Sequence, residues 1–197
     1  MLCLKFYLFS GFLGSGKTTI VTALTKHMVE QNHKKAMLIV NDVGDIGVDA
    51  KLMRKLDTDV YEIFGGCVCG QLGSLVPLLT ELGDKYIVDV VLMEASGIAQ
   101  PARFIDTIKR FLPVQAEIKV ITIVDAERWF ELHEVLTSLI ESQIESAELV
   151  LVNKTDLVDE DKLSRVVKTV RKIKSEVDVL TVSANNSDDL LRVLEVI

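Results

Sequence analysis

Gly11-Phe12-Leu13-Gly14-Ser15-Gly16-Lys17-Thr18 fills the pattern G-x-x-x-x-G-K-[ST] at every fixed position. An apolar run at 4–9 precedes it, and a segment of helical periodicity at 17–31 follows. Strand, glycine-rich turn and helix form the setting in which this pattern cradles phosphate. The turn lets the backbone around Gly11, Gly14, Ser15 and Gly16 point amides at anionic oxygens, and the helix N-terminus adds partial positive charge. Lys17 is placed to reach β- and γ-phosphates, the Thr18 hydroxyl to ligate Mg²⁺, and Thr19 to meet the α-phosphate. The plainer reading is a strand–helix turn with no ligand, and it leaves the complete pattern unexplained.

Outward from this stretch the chain alternates. Short apolar runs stand at 4–9, 36–40, 59–64, 87–93, 118–124, 149–152 and 177–182. Most are β-branched and apolar throughout, as strands covered on both faces should be. Helix-length segments lie between them at 17–31, 72–82, 102–110, 127–145, 160–175 and 188–196. The alternation predicts an α/β phosphate-loop NTPase fold: a mostly parallel sheet of about seven strands, flanked by helices on both faces. Residues 1–197 read as one such domain, with no linker, repeat or second domain.

Composition narrows the function classes. Hydrophobic residues make up 49% of the 197 and charged residues 26%, which suits a globular domain with a sizeable core. The net charge of −7 argues against a sequence-independent grip on nucleic acid, which needs a cationic face. The apolar start resembles a signal peptide, but Lys5 lies inside the run and the run leads straight into the phosphate loop, so it reads as a buried strand. No run approaches the roughly 20 apolar residues that span a bilayer. The 3 cysteines are too few for a disulfide framework. A cytoplasmic protein is expected.

Three further segments complete a nucleotide site. Asn153-Lys154-Thr155-Asp156 follows an apolar run and has the N-K-x-D form that reads guanine. The Asp156 carboxylate would accept from the ring N–H and the exocyclic amine, while the Lys154 stem packs on the base. Adenine would leave that carboxylate unpaired. Ser183 and Ala184, after the last run, stand where a backbone amide can face the base oxygen. Glu94-Ala95-Ser96-Gly97 ends another run: Glu94 can hold Mg²⁺ through water and orient the attacking water, and the Gly97 amide can sense the γ-phosphate. The acids and glycines of 41–49 suit a loop that closes over Mg²⁺, with Asp49 the best candidate ligand.

Cys67-Val68-Cys69, set between Gly65-Gly66 and Gly70, raises a separate question. The pair reads as a transient metal site, a redox pair, or small loop side chains. Two thiolates can share one Zn²⁺-like ion but do not close its shell. Further donors would come from Glu62, Asp42, Asp45, a second subunit or a client. A disulfide within C-x-C is strained. His27, His33 and His133 are not clustered, and the last two read as solvated helix residues. A basic stripe, Lys162, Arg165, Lys168, Arg171 and Lys172, reads as a solvated helix face opposite Val166, Val167, Val170 and Ile173.

In chain order, GFLGSGKTT, NDVGDIGVD, GGCVCG, EASGIAQP and NKTD resemble the CobW family of metal-trafficking GTPases, relatives of the nickel-insertion GTPases for hydrogenase and urease. The resemblance covers nearly the whole chain. It implies a slowly hydrolysing GTPase that uses GTP and Mg²⁺ and couples nucleotide state to metal delivery, or to maturation of a metal- or corrinoid-dependent enzyme. It also places Cys67 and Cys69 on the first two thiols of the family's C-x-C-C motif, with Gly70 in the third position. Expected partners are GTP and GDP, a client metalloenzyme or corrinoid protein, and a second copy of the chain. The rival reading is a regulatory module whose nucleotide state a partner senses while no metal moves.

Overall fold

A computed structural model of the chain describes residues 4–40, 59–62, 72–82 and 85–197. Seven parallel strands form one sheet in the order β3-β2-β4-β1-β5-β6-β7. They are β1 (Lys5–Ser10), β2 (Ala36–Val40), β3 (Asp59–Glu62), β4 (Val90–Glu94), β5 (Glu117–Asp125), β6 (Leu149–Asn153) and β7 (Asp178–Thr181). The described helices are α1 (Lys17–Glu30), α2 (Leu72–Glu81), α3 (Ile105–Phe111), α4 (Trp129–Val135), α5 (Thr137–Glu145), α6 (Glu160–Ile173) and α7 (Ser187–Val196).

The strands are apolar on both faces because both faces are covered. Phe6 and Leu8 of β1 pack with Leu75 and Leu79 of α2 and Ile108 of α3. Tyr7 and Phe9, pointing the other way, join Ile20, Val21, Leu24 and Met28 of α1 and Val193 of α7. A third cluster continues the first face under α5 and α6, through Ile140, Ile144, Val166 and Val170. Helix ends follow local chemistry. The Asp159 carboxylate accepts from the Lys162 amide at 2.7 Å and caps α6. Acids in the first turn of α6 and Arg171 and Lys172 in its last both complement the helix dipole. Val166 and Val170 are buried as the valine face predicts, and Lys162 and Arg165 of the opposite stripe reach the Glu127 carbonyl and the Phe130 ring.

Most expected boundaries hold within two residues, and three segments depart further. The segment 127–145 is two helices, broken at Leu136 (φ −123, ψ 32), although its apolar periodicity runs on without interruption. The break lets Trp129 and Ile140 face one core cluster from separate helices. The segment 102–110 divides into a 3₁₀ turn, Pro101–Arg103, and α3, because Phe104 leaves helical geometry (φ −133) and buries its ring. β4 starts at Val90 rather than 87, since Ile87 is exposed and Asp89 turns aside to accept from the Lys35 amide at 2.9 Å. His133 is also not a freely solvated residue: it stacks on Trp129 and meets Glu141 Oε1 at 3.2 Å. His33 lies past the end of α1, exposed, at φ 50.

Register decides what the sheet brings together. Phe9 pairs with Glu94, Glu94 with Val40, and Val40 with Glu62. One row across four strands therefore ends β1 just before the phosphate loop, β4 at its acid, and β2 and β3 just before 41 and 63.

Candidate functional site

The phosphate loop leaves β1 through backbone that needs glycine. Gly11, Gly14 and Gly16 have φ of 135°, 74° and 95°, all in the left-handed half of the map. A Cβ on Gly11 would overlap the Ile123 carbonyl oxygen, and one on Gly16 the Asn153 amide nitrogen. The Ser15 amide closes the loop on the Phe12 carbonyl at 3.2 Å. Gly16 then starts α1 with no side-chain cap and no acid in the first turn, which leaves the helix N-terminus suited to an anion. Lys17 is buried, and its ammonium donates to the Phe12 carbonyl at 3.2 Å.

Thr18 and Glu94 meet at the head of the loop. The Thr18 hydroxyl donates to Glu94 Oε1 at 2.8 Å, and Glu94 is buried. Octahedral Mg²⁺ with bonds of about 2.0–2.1 Å holds neighbouring oxygens about 2.9 Å apart. A hard hydroxyl oxygen and a carboxylate at this separation fit the ion, directly or through one of its waters. Gly97 lies against the same loop, where a Cβ would come within 2.6 Å of Leu13 Cγ. The Gln143 side-chain amide holds the 97–99 backbone from below, donating to the Gly97 and Ala99 carbonyls at 3.3 and 2.8 Å.

The base loop follows β6, two strands away across β5. Asn153 uses both ends of its amide within the protein. Its Nδ2 donates to the Ser15 carbonyl at 2.8 Å, and its Oδ1 accepts from the Ala184 amide at 3.0 Å. It thereby joins the phosphate loop, the base loop and the turn after β7. Lys154 takes a left-handed conformation (φ 65) and donates to Asp125 Oδ2 at 2.7 Å. The exposed Asp156 carboxyl lies below the usual carboxylate range, because the Ser183 hydroxyl and its own backbone amide donate to it. A hollow of about 170 Å³ opens between Gly16, Thr19, Lys154, Asp156, Leu157 and Ala184, of a size for a planar base.

Asp125 and Arg128 belong to none of the sequence motifs. Asp125 ends β5 with its carboxylate fully buried, taking Lys154 on Oδ2 and Arg128 Nε on the same oxygen at 2.8 Å. Its Oδ1 accepts from the Glu127 and Arg128 amides at 3.0 and 3.2 Å. Burial pushes this carboxyl up, but Lys154 and Arg128 outweigh it and hold the group below its ordinary value. The signal was present in the sequence: an acid closing an apolar strand is also what marks Glu94.

Thus Gly11, Gly14, Ser15, Gly16, Lys17, Thr18, Thr19, Glu94, Gly97, Asn153, Lys154, Asp156, Ser183 and Ala184 all lie along the C-terminal ends of neighbouring strands. Asp42, Asp45, Asp49, Cys67 and Cys69 lie outside the described residues, and Glu62 is described only as the last residue of β3. Among the described residues no group of three His, Cys, Asp or Glu could hold a metal, and no helix is long and apolar enough to cross a membrane.

Residues 5–181 match the family model described as the nucleotide-binding domain of CobW/HypB/UreG. A zinc-regulated GTPase metalloprotein activator of Dictyostelium discoideum is 26% identical over 87% of this chain and 44% of its own length. The zinc chaperone YjiA of Escherichia coli is 29% identical over 92% of this chain and 58% of its own. The chain therefore spans about half the length of these curated relatives. Among solved structures, HypB of Helicobacter pylori in complex with nickel superimposes with a TM-score of 0.70 at 19% identity, covering 98% of this chain and 85% of that one. At that identity the likeness speaks for the fold alone.

Proposed function

Since the chain belongs to the CobW/HypB/UreG family of nucleotide-binding domains, we propose that it binds and hydrolyses GTP and couples its nucleotide state to the handling of a Zn²⁺-like ion as cargo. Lys17, the amides of Gly14–Lys17 and the helix N-terminus hold the phosphates. Asp156 and Lys154 select guanine. Thr18 and Glu94 would hold Mg²⁺, which when bound would neutralise charge on the phosphates. Glu94 orients the attacking water, and the Gly97 amide faces the transferred group. Asp49 of the 41–49 segment is a further candidate ligand.

One observation carries the metal half. The residues before 41 and before 63 end neighbouring strands, and Val40 pairs with both Glu62 and Glu94. With strands about 4.8 Å apart, the backbone of Glu62 lies roughly 10 Å from that of Glu94. The chain thus leaves β3 toward Cys67 and Cys69 from a strand end next to the one from which it leaves β2 toward Asp42 and Asp45, and two strands from Glu94. A change at the γ-phosphate has a short path to a thiolate site that needs carboxylate donors to complete its shell. Delivery to a client enzyme, corrinoid-dependent or otherwise, in the cytoplasm extends the same reading.

The test is zinc competition against a chromophoric chelator, for the unmodified protein and Cys67→Ala/Cys69→Ala, each with GDP and with a non-hydrolysable GTP analogue. The unmodified protein is expected to hold zinc with an affinity that depends on the nucleotide, and the double variant to lose that dependence. Four coincident curves would remove the metal half and leave the regulatory module. Equal affinity for ATP and GTP would remove the guanine half.

A further inference from the structure

Arg128 is bonded toward both loops of the site and is part of neither. It stands in the turn between β5 and α4, half exposed. Its Nη2 donates to the Leu13 carbonyl at 3.0 Å, across 115 residues of sequence. Its Nε donates to Asp125 Oδ2, the oxygen that also receives the Lys154 ammonium. The guanidinium lies close enough to the phosphate loop that a Cβ on Gly14 would come within 2.8 Å of Nη2. We propose that Arg128 is a positioning residue that clasps the phosphate loop to the base loop, holding Leu13 directly and Lys154 through Asp125, so that base and phosphates bind cooperatively. The proposal rests on the guanine-nucleotide reading of this site.

The chemistry favours arginine for the task. A planar guanidinium presents N–H groups in a fixed fork and can serve a carbonyl and a carboxylate together; an ammonium on a flexible stem holds one geometry less well. Asp125 is fully buried, so it cannot exchange a lost partner for water. Without Arg128 the carboxylate keeps Lys154 and two backbone amides, but the Leu13 carbonyl loses its link to them. The two loops are then coupled less tightly, and binding one end of the nucleotide orders the site less for the other. The Asn153 bridge to Ser15 remains, so the loss is partial.

The test is calorimetric GDP binding to the unmodified protein, Arg128→Ala, Arg128→Lys, Lys154→Ala and the Arg128→Ala/Lys154→Ala double variant. Arg128→Ala is expected to weaken GDP about tenfold, with Arg128→Lys recovering part. On the Lys154→Ala background the same change is expected to cost only about twofold, because one arm of the clasp has already gone. In single-turnover GTP hydrolysis the half-saturating concentration should rise with Arg128→Ala while the saturating rate stays within about threefold. GDP affinity within twofold of the unmodified protein, or an equal tenfold loss on both backgrounds, overturns the clasp. If the unmodified protein binds ADP as tightly as GDP, the guanine reading fails separately. The same comparison made with ADP still decides the clasp.

Discussion

The loops after β1 and β6 serve one pocket and keep their shapes by opposite means. The phosphate loop bends through three glycines with positive φ, at positions where a side chain would meet backbone or its neighbours. The base loop makes its left-handed turn with a lysine, which carries the Cβ that disfavours this conformation. Its shape is held from outside, by the bond from Lys154 to Asp125 and by the Asn153 amide. One loop is permitted by what its residues lack, the other imposed by what its side chains reach. The first should therefore fail through steric overlap, the second through lost charge and released strain.

The largest effect should come from Gly11→Ala. The new methyl would overlap the Ile123 carbonyl on β5, a buried strand that cannot retreat, at a φ that alanine rarely adopts. A stability loss of more than about 3 kcal/mol is expected by denaturant unfolding, in the range of overpacking plus a strained backbone. A loss under about 1 kcal/mol would show that the phosphate loop is adaptable, and the contrast between the two loops would collapse.

Asp125→Asn should act on the base loop and on its link through Arg128, and cost less, about 1.5–3 kcal/mol at pH 7, the scale of hydrogen bonds to a charged group. Its dependence on pH identifies the cause. Lys154 and Arg128 hold the folded carboxyl below its ordinary value despite burial. The stabilisation is therefore present above the unfolded value of about 3.9 and is lost as pH falls through the lower folded value. Unfolding free energies of the unmodified protein and Asp125→Asn should differ fully at pH 7 and 5, and the gap should begin to close below about pH 4. A gap that stays constant with pH would assign the loss to packing.

The same contrast explains what could be read from the sequence. Lys17, Thr18, Glu94, Lys154 and Asp156 were legible because each sits in a short contiguous pattern at the end of an apolar run, and a parallel sheet brings such ends together. Arg128 and Gln143 were not, because their partners are remote: Leu13 lies 115 residues from Arg128, and Gly97 46 from Gln143. Asp125 closes an apolar run as Glu94 does, but its tie to Lys154, 29 residues on, was hidden. The break at Leu136 was hidden for a different reason. Apolar spacing continues across it, and only the backbone turns. The left-handed lysine was hidden too, since no residue type announces a conformation that a distant carboxylate enforces.

The smallest effect, and the sharpest probe of that last point, is the difference between Lys154→Gly and Lys154→Ala. Both remove the ammonium and its bond to Asp125, so the electrostatic loss cancels in the comparison. Alanine must still hold φ near the observed 65° against a cost of about 1–2 kcal/mol, whereas glycine holds it freely. Glycine gives back about 0.4–1 kcal/mol through a more flexible unfolded chain. Lys154→Gly should therefore be the more stable variant by about 0.5–1 kcal/mol, read as a shift of the denaturant midpoint at unchanged slope. If Lys154→Ala is equally or more stable, the loop either carries no strain or relaxes once the ammonium is gone. Shape in the base loop would then follow from the Asn153 amide alone.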